Sequence, residues 1–158
     1  MTKILVVEDS PVDRMLVGGL LGKEQDWNIE FANDGQEAID LFGSSETMPD
    51  VIVTDLQMPR VDGLALVTMV RETHPTIPVI LITSQGSEQI AIKALRAGAT
   101  SFTPKSMMRS DLIRTIKQVL EMSKRMKYTH DLETLPAPKQ VAFVLENDCS
   151  LILSLIHI

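Results

Sequence analysis

The sequence is poor in cysteine, in clustered positive charge and in long apolar runs, and each shortage excludes a class of protein. Its one cysteine, Cys149, allows no disulfide within the chain, which favours a reducing, cytoplasmic setting. The 15 Lys and Arg residues are outnumbered by 21 Asp and Glu residues and form no long block. Because binding to a phosphate backbone depends on clustered cations, we expect no direct contact with nucleic acid.

Long apolar segments are also missing from the amino-terminal region. The opening residues, MTKILVVEDS, reach acidic side chains after a short apolar run. A membrane span needs about 18 apolar residues in a row, so the sequence predicts neither a signal peptide nor a membrane anchor. Hydrophobic residues nevertheless make up 44% of the 158, enough to form the core of one domain beside a fragment of another.

Apolar runs of strand length alternate with segments of helical period along most of the chain. The predicted strands are residues 3–7, 28–32, 50–54, 78–83 and 100–103. Strands that are apolar throughout and joined by helices are typical of a parallel sheet covered on both faces. We therefore predict five βα units, with ligands bound beyond the carboxyl ends of the strands.

Capping residues and turn signals mark the helix boundaries. Ser10 and Pro11 predict the start of the first helix, and Asp13 stands three residues after Ser10, as in a capping box. A last amphipathic helix is predicted from about residue 107 to 126. Further boundary signals are Asn33-Asp34-Gly35, the turn and helix entry at Asp62-Gly63, and Ser87 with Gly98 at the two ends of one helix.

The character of the chain changes after residue 127. Residues 128–140, YTHDLETLPAPKQ, are polar and contain two prolines, so they are interpreted as a linker. Residues 141–158 form an apolar tail that includes VAFVL and LILSLIHI. This tail has too few residues to bury itself, and we expect it to be the start of a second domain that is cut short.

Charged and hydroxyl side chains stand at the ends of four predicted strands. Glu8 and Asp9 end the first strand, Asp55 the third and Thr83 the fourth, and Lys105 follows the fifth. In a parallel sheet these ends share one edge, so three carboxylates, a hydroxyl and an ammonium converge. Crowded carboxylates repel one another unless a cation joins them, and oxygen ligands predict Mg²⁺, or Mn²⁺ in its place. Asp55 is then either the polar end of a strand or a nucleophile that forms an aspartyl-phosphate.

Four segments together resemble the motif set of response-regulator receiver domains of two-component signalling. They are LVVEDSPVDR, VTDLQMPRVDG, ILITSQG and SFTPKS, and the likeness extends over residues 1 to about 125. It implies a receiver domain at 1–127 with a flavodoxin-like, doubly wound (βα)5 fold and a five-stranded parallel sheet of order 2-1-3-4-5. It also implies phosphotransfer from a sensor histidine kinase or a phosphotransfer protein.

The resemblance assigns a role to each residue at the strand ends. Asp55 would be the phosphoacceptor. The implied metal ligands are Glu8, Asp9, Asp55 and the backbone carbonyl of Gln57. Thr83 and Lys105 would bind the phosphoryl group, and Thr83 and Phe102 would act as the switch. Such a domain is a phosphoacceptor rather than an enzyme, limited to self-phosphorylation from phosphodonors and slow autodephosphorylation.

One residue departs from the family pattern. Receivers usually carry a proline directly after the lysine, with a cis bond between them, whereas Ser106 follows Lys105 here and Pro104 precedes it. A cis bond before a residue other than proline costs about 2.5–4 kcal/mol. Either the Lys105–Ser106 bond is trans and the loop differs, or the strain is retained; we expect a rearranged loop.

The resemblance also implies a surface that binds partners, and the apolar tail has a resemblance of its own. Phosphorylation would shift the face formed by helix 4, strand 5 and helix 5, where a downstream protein or effector domain, or a second copy of the chain, would bind. The stretch APKQVAFVLENDCSLI is similar to the opening strand of an ATP-binding domain of the histidine-kinase or anti-sigma type. The Asn-box and glycine-rich lid of such a domain are absent from the sequence.

Three other functions stay open on the sequence. A haloacid-dehalogenase-type phosphatase also uses an aspartyl-phosphate with Mg²⁺, but its nucleophile lies on the first strand. A flavodoxin-like flavin binder would need a hydroxyl- and glycine-rich phosphate loop where Glu8 and Asp9 stand, and these acids would repel the phosphate. An unphosphorylated receiver-like scaffold is the third.

Overall fold

A computed structural model describes residues 1–44, 46 and 48–134 of the chain. Strands and helices alternate along it. The strands are β1 (Thr2–Val7), β2 (Trp27–Ala32), β3 (Val51–Asp55), β4 (Val79–Thr83) and β5 (Ser101–Pro104). The helices are α1 (Pro11–Leu21), α2 (Gly35–Ser44), α3 (Gly63–Thr73), α4 (Glu88–Ala97) and α5 (Met108–Thr134), with a 3-10 turn at Lys105–Met107 before α5.

The five strands form one parallel sheet of order β2-β1-β3-β4-β5. This confirms the predicted flavodoxin-like topology. From β1 the chain first moves outward to β2 and then returns to β3 on the other side of β1. The crevice at such a reversal, beyond the carboxyl ends of β1 and β3, is the usual ligand site of an open α/β sheet.

Both faces of the sheet are buried, which explains why β3 and β4 are apolar from Val51 to Val53 and from Val79 to Ile82. Ile4 and Val6 of β1 face a core formed with α1 and α5, where Leu112 and Ile116 are fully buried. Leu5 and Val7 alternate with them and face the second core. That second core is completed by the fully buried side chains Leu66, Val67 and Val70 of α3, with Ala38 of α2 and Ala94 of α4.

The predicted helix starts are observed as side-chain caps. The Ser10 hydroxyl accepts a hydrogen bond from the Asp13 N–H at 3.3 Å, and Pro11 occupies the first position of α1. Asp62 caps α3 by accepting from the Ala65 N–H at 2.8 Å. Ser87 caps α4 in the same way, with the Ile90 N–H as the donor at 3.3 Å.

The last helix is longer than predicted. It continues to Thr134, so the first seven residues of the predicted linker, 128–134, are helical, and the rest of the linker and the tail lie outside the described residues. The sequence offers a reason: no Gly or Pro occurs from 108 to 134, and Pro136 is the first residue that disfavours helix just before it. Among the described residues, no helix combines the length and apolar character that a membrane crossing requires.

The fold divides into two compact units, Met1–Glu121 and Met122–Ile158. The first contains the whole sheet and α1 to α4. The described part of the second is the end of α5, where Met122 and Met126 are exposed. The division into a domain at 1–127 and a following segment therefore stays a prediction.

Arg71, near the end of α3, ties together the α3–β4 loop and the α4–β5 loop at the amino-terminal edge of the sheet. Its guanidinium donates hydrogen bonds to the carbonyls of Gly98 (2.7 Å), Pro75 (2.6 Å) and Ile77 (2.8 Å). Gly98 ends α4 with φ +104°, and a Cβ on it would lie 2.6 Å from Cγ of Arg71. A glycine is therefore required by both the backbone conformation and the close approach of Arg71.

We expect Arg71→Met to lower the free energy of unfolding by about 2–4 kcal/mol, because carbonyls bonded to a charged donor lose their partner. The exposed Arg96→Met on α4 is the matched control. Urea unfolding followed by circular dichroism measures both. Equal midpoints for the two variants would show that the Arg71 hydrogen bonds contribute nothing beyond a surface arginine.

Candidate functional site

The strand order brings the predicted site residues to neighbouring positions along one edge of the sheet. Asp55 is the last residue of β3 and Thr83 the last of β4. Glu8 and Asp9 follow β1 directly, and Lys105 follows β5. Because β1, β3, β4 and β5 are consecutive in the sheet, these residues surround the crevice beside the topological reversal.

Three carboxyl groups converge at this edge. One carboxylate oxygen from each of Glu8, Asp9 and Asp55 lies within 4.8 Å of the other two. Glu8 is fully buried, Asp55 is 6% exposed, and Asp9 is open to solvent. The convergence of acids that was expected from the strand ends is therefore present in the folded chain.

Lys105 supplies the positive charge in this cluster. Its Nζ lies 2.9 Å from Oε2 of Glu8 and 3.3 Å from Oδ2 of Asp55. It also lies 2.7 Å from Oδ2 of Asp13, a residue of α1. The ammonium has three N–H groups and meets three carboxylates, so one charge is shared among three anions.

Burial dominates the electrostatics of the two enclosed acids. Desolvation raises the pKa of Asp55, and the charge and hydrogen bonding of Lys105 offset this only in part. The pKa of Glu8 is raised for the same reason. Burial by itself would lower the pKa of Lys105, but hydrogen bonds to Asp13 and Glu8 and the charge of Asp55 outweigh it and raise the pKa above its usual value.

The donor set fits a hard divalent cation. Oε2 of Glu8 is buried without an aligned hydrogen-bond donor, although the Lys105 ammonium is near it. Its other oxygen accepts from the Ser10 N–H at 3.1 Å, and Oδ1 of Asp55 accepts from the Leu56 N–H at 2.7 Å. Each buried carboxylate therefore has one oxygen held by the backbone and one facing its neighbours. All-oxygen ligation of this kind suits Mg²⁺ or Mn²⁺.

An open cleft of about 560 Å³ adjoins the acids and contains Gln57, the predicted backbone ligand. The loop that carries Gln57 is folded tightly, because the Gly63 N–H donates to the Leu56 carbonyl at 2.9 Å and a Cβ on Gly63 would overlap the carbonyl oxygen of Asp55. The residues that line the cleft are Asp9, Leu56, Gln57, Met58, Pro59 and Asp62.

An ion pair between the buried Asp34 and the exposed Arg60 fastens the same loop to the start of α2. Nε of Arg60 donates to Oδ2 of Asp34 at 2.8 Å, and Arg60 adopts a left-handed conformation with φ +64°. Burial alone would raise the pKa of Asp34, but hydrogen bonds from the Glu37 N–H and Arg60 outweigh it and lower the pKa. Sequence reasoning identified Asp34 only as part of a turn.

Thr83 and Phe102 lie beside the charged cluster rather than within it. Thr83 is buried, and its hydroxyl accepts a hydrogen bond from the Gln85 N–H at 3.2 Å. Phe102 is partly buried on β5, pairs with Leu81 across the sheet and packs against the core that contains α3. Their predicted roles as phosphoryl ligand and switch are untested by these contacts.

Asp13 is the site residue that sequence reasoning missed, since it was interpreted as half of a capping box. The Ser10 N–H that a capping box would engage is bonded to Glu8 instead, and the Asp13 carboxylate binds Lys105. The available signal was its place in the first turn of α1, because helical side chains tilt toward the amino-terminal end. That tilt directs them toward the sheet edge from which α1 starts.

The loop after Lys105 has the trans arrangement that was one of the two expectations. No cis peptide bond occurs in the described part of the chain. Residues Lys105–Met107 instead form a 3-10 turn that leads directly into α5. Lys105 therefore stands at a fixed point between β5 and the start of α5.

A family model and curated relatives of the chain both indicate one family. The family model described as "Response regulator receiver domain" matches residues 4–117. The transcriptional regulatory protein CpxR of Escherichia coli strain K12 is 35% identical over 123 residues, which cover 78% of this chain and 51% of CpxR. The chain spans about half the length of the curated relatives it matches.

Two solved structures are similar to the chain along most of its length. NtrX from Brucella abortus aligns with a TM-score of 0.75 at 32% identity, covering 84% of this chain and 30% of NtrX. TrrA from Thermotoga maritima, solved in complex with Mg(2+)-BeF, aligns with a TM-score of 0.66 at 28% identity, covering 75% and 99% respectively. The family match favours the receiver over the phosphatase, and the candidate nucleophile lies on β3 rather than β1.

The raised pKa of Asp55 predicts how Asp55→Asn changes stability in metal-free solution. Because burial disfavours the ionised carboxyl in the folded state, wild type loses stability as pH rises through the raised pKa. The variant should unfold at a higher urea concentration at neutral pH, and the difference should vanish below the ordinary pKa of 3.8. Urea titrations in EDTA across this range measure it, with the exposed Asp40→Asn as the control. A variant that is less stable than wild type at neutral pH contradicts the prediction.

Proposed function

The chain belongs to the response regulator receiver domain family, and we propose that it accepts a phosphoryl group on Asp55 from a histidine kinase and acts as a signalling switch. One observation carries this proposal. A buried carboxylate at the end of β3 lies 3.3 Å from the Lys105 ammonium and shares a cluster with two further acids. This arrangement presents an oxygen nucleophile beside both a cation and a metal-binding set.

The transfer moves one phosphoryl group between two side chains. A carboxylate oxygen of Asp55 attacks phosphorus, an O–P bond forms, and the P–N bond to the donor histidine breaks. The bonding electrons return to the imidazole nitrogen, which takes up a proton. The Lys105 ammonium and the Thr83 hydroxyl then stabilise the charged phosphoryl oxygens.

Glu8, Asp9, Asp55 and the Gln57 carbonyl would hold Mg²⁺, or Mn²⁺ in its place. The cation would neutralise charge on the carboxylates and on the phosphoryl oxygens as they approach each other. Support comes from the convergence of the three acids and from the cleft that Asp9 and Gln57 share. TrrA, whose structure contains Mg(2+)-BeF, is a relative by fold and sequence.

A downstream partner would bind the face formed by α4, β5 and α5, and this face would transmit the signal. Thr83 precedes α4, and Phe102 lies on β5. A phosphoryl group bound by the Thr83 hydroxyl would favour one of two arrangements of the face that these elements form. Ile92 and Leu95 of α4 are exposed there and offer apolar contact to a downstream protein or a second copy of the chain. The domain would thus signal from the cytoplasm as a phosphoacceptor, without catalysing turnover of a substrate.

We expect Mg²⁺ and acetyl phosphate to add the mass of one phosphoryl group to the protein, in a form labile to base. Asp55→Asn should remove this gain completely, while Asp111→Asn, at the start of α5, should keep it. Intact-protein mass spectrometry measures all three. A mass gain that persists in Asp55→Asn ends the proposal, as does its absence from wild type.

The phosphodonor protein would dock on α1. A phosphohistidine must come within bonding distance of Asp55, so its carrier has to cover the surface around the site. α1 begins two residues after Asp9 and exposes Val12 (67%) and Met15 (78%) to solvent. Apolar side chains this exposed at the first two turns of a helix fit a protein partner.

Met15→Glu should slow transfer from a protein donor at least about tenfold, because a charge opposes burial of the apolar contact. The probe is a panel of purified histidine kinases labelled with radioactive ATP, from which the fastest donor is chosen. Acetyl phosphate should react with the variant at the wild-type rate. Met122→Glu on α5 is the control, and transfer that slows equally in both variants contradicts docking on α1.

A further inference from the structure

Asp13 differs from the other two carboxylates that contact Lys105. Glu8 and Asp55 belong to the group of acids whose oxygens converge as a metal site, and Asp55 is also the phosphoacceptor under the proposed function. Asp13 lies outside that convergent group. Its contact with the ammonium is also the shortest of the three, 2.7 Å against 2.9 and 3.3 Å.

The backbone holds Asp13 firmly in place. Its N–H donates to the Ser10 hydroxyl, and Pro11 presets the first turn of α1. Arg14, the next residue, donates to the carbonyl of Glu8 at 3.2 Å and so joins the helix to the end of β1. Val17 and Leu21 of the same helix are buried and anchor it to the core. The Asp13 carboxylate is therefore a fixed anion near the site.

The partners of Lys105 change when the site is occupied. A divalent cation held by Glu8 and Asp55 would offset their charge, and phosphorylation would convert the Asp55 carboxylate to an acyl phosphate whose negative charge lies on the phosphoryl oxygens. Metal binding and phosphorylation would therefore weaken the attraction of Glu8 and Asp55 for the Lys105 ammonium. These are the same events that bring the phosphoryl oxygens to the site. A flexible four-carbon side chain would then lose its orientation unless a third partner kept it.

We propose that Asp13 is a positioning residue that keeps the Lys105 ammonium beside Asp55 when the site is loaded. One N–H remains with Asp13 while the others are free to meet phosphoryl oxygens. This inference rests on the proposed function and adds to it a group that touches neither metal nor phosphorus. If Asp13 instead competed with the phosphoryl group for Lys105, Asp13→Ala would bind a phosphoryl mimic more tightly than wild type does.

The test measures two affinities by isothermal titration calorimetry, first for Mg²⁺ alone and then for beryllium fluoride, a phosphoryl mimic, in saturating Mg²⁺. Asp13→Ala should leave the Mg²⁺ affinity unchanged and weaken beryllium fluoride binding by about three- to tenfold. Asp13→Asn keeps an oxygen acceptor and should lie between Asp13→Ala and wild type. The surface variant Asp40→Asn controls for the loss of one negative charge.

A double-mutant cycle shows whether the effect passes through Lys105. In a Lys105→Met background, Asp13→Ala should cause no further weakening, because the ammonium it positions is gone. Beryllium fluoride binding by Asp13→Ala that equals or exceeds that of wild type overturns the inference. So does an equal loss in the Lys105→Met background. Failure of wild type to bind beryllium fluoride in Mg²⁺ would instead contradict the proposed function itself.

Discussion

The sharing of one ammonium among three carboxylates is the interaction on which the sheet edge depends. Parallel strands bring their carboxyl ends together, so acids placed there are forced into proximity by topology alone. Lys105 offsets part of the repulsion between Glu8 and Asp55, yet burial still raises the pKa of both acids. The folded chain therefore holds an unfavourable concentration of negative charge, which the proposed metal ion would relieve.

The rest of the fold supplies the rigidity that this crowding requires. The central strands are buried on both faces, so their ends cannot separate without exposing apolar side chains to water. The loops that carry the functional groups are fixed individually: Gly63 closes on Asp55, Arg60 is paired with Asp34, and Arg14 is bonded to the Glu8 carbonyl. Groups that would repel in solution are thus kept within a few ångströms of one another.

The sequence was most informative where a local pattern determines structure. Apolar strands, the Ser10 and Ser87 caps and the residues at strand ends predicted the sheet and most of the charged cluster, because each signal depends on near neighbours. Asp13 was missed because its partner Lys105 lies 92 residues away, and the Asp34–Arg60 pair was missed because its members are 26 residues apart, with α2 and β3 between them. The length of α5 was underestimated because residues 128–134 are polar, as in a linker, although no Gly or Pro interrupts the helix from 108 to 134.

The attachment of α4 is uneven along its length. Within the helix only Ala94 is fully buried, whereas its carboxyl end is tied through Gly98 to the guanidinium of Arg71. A rod fastened at one end and lightly packed along its body pivots about the fastened end. Any displacement of α4 would therefore be smallest at Gly98 and largest at Ser87, which stands four residues after Thr83 in the chain.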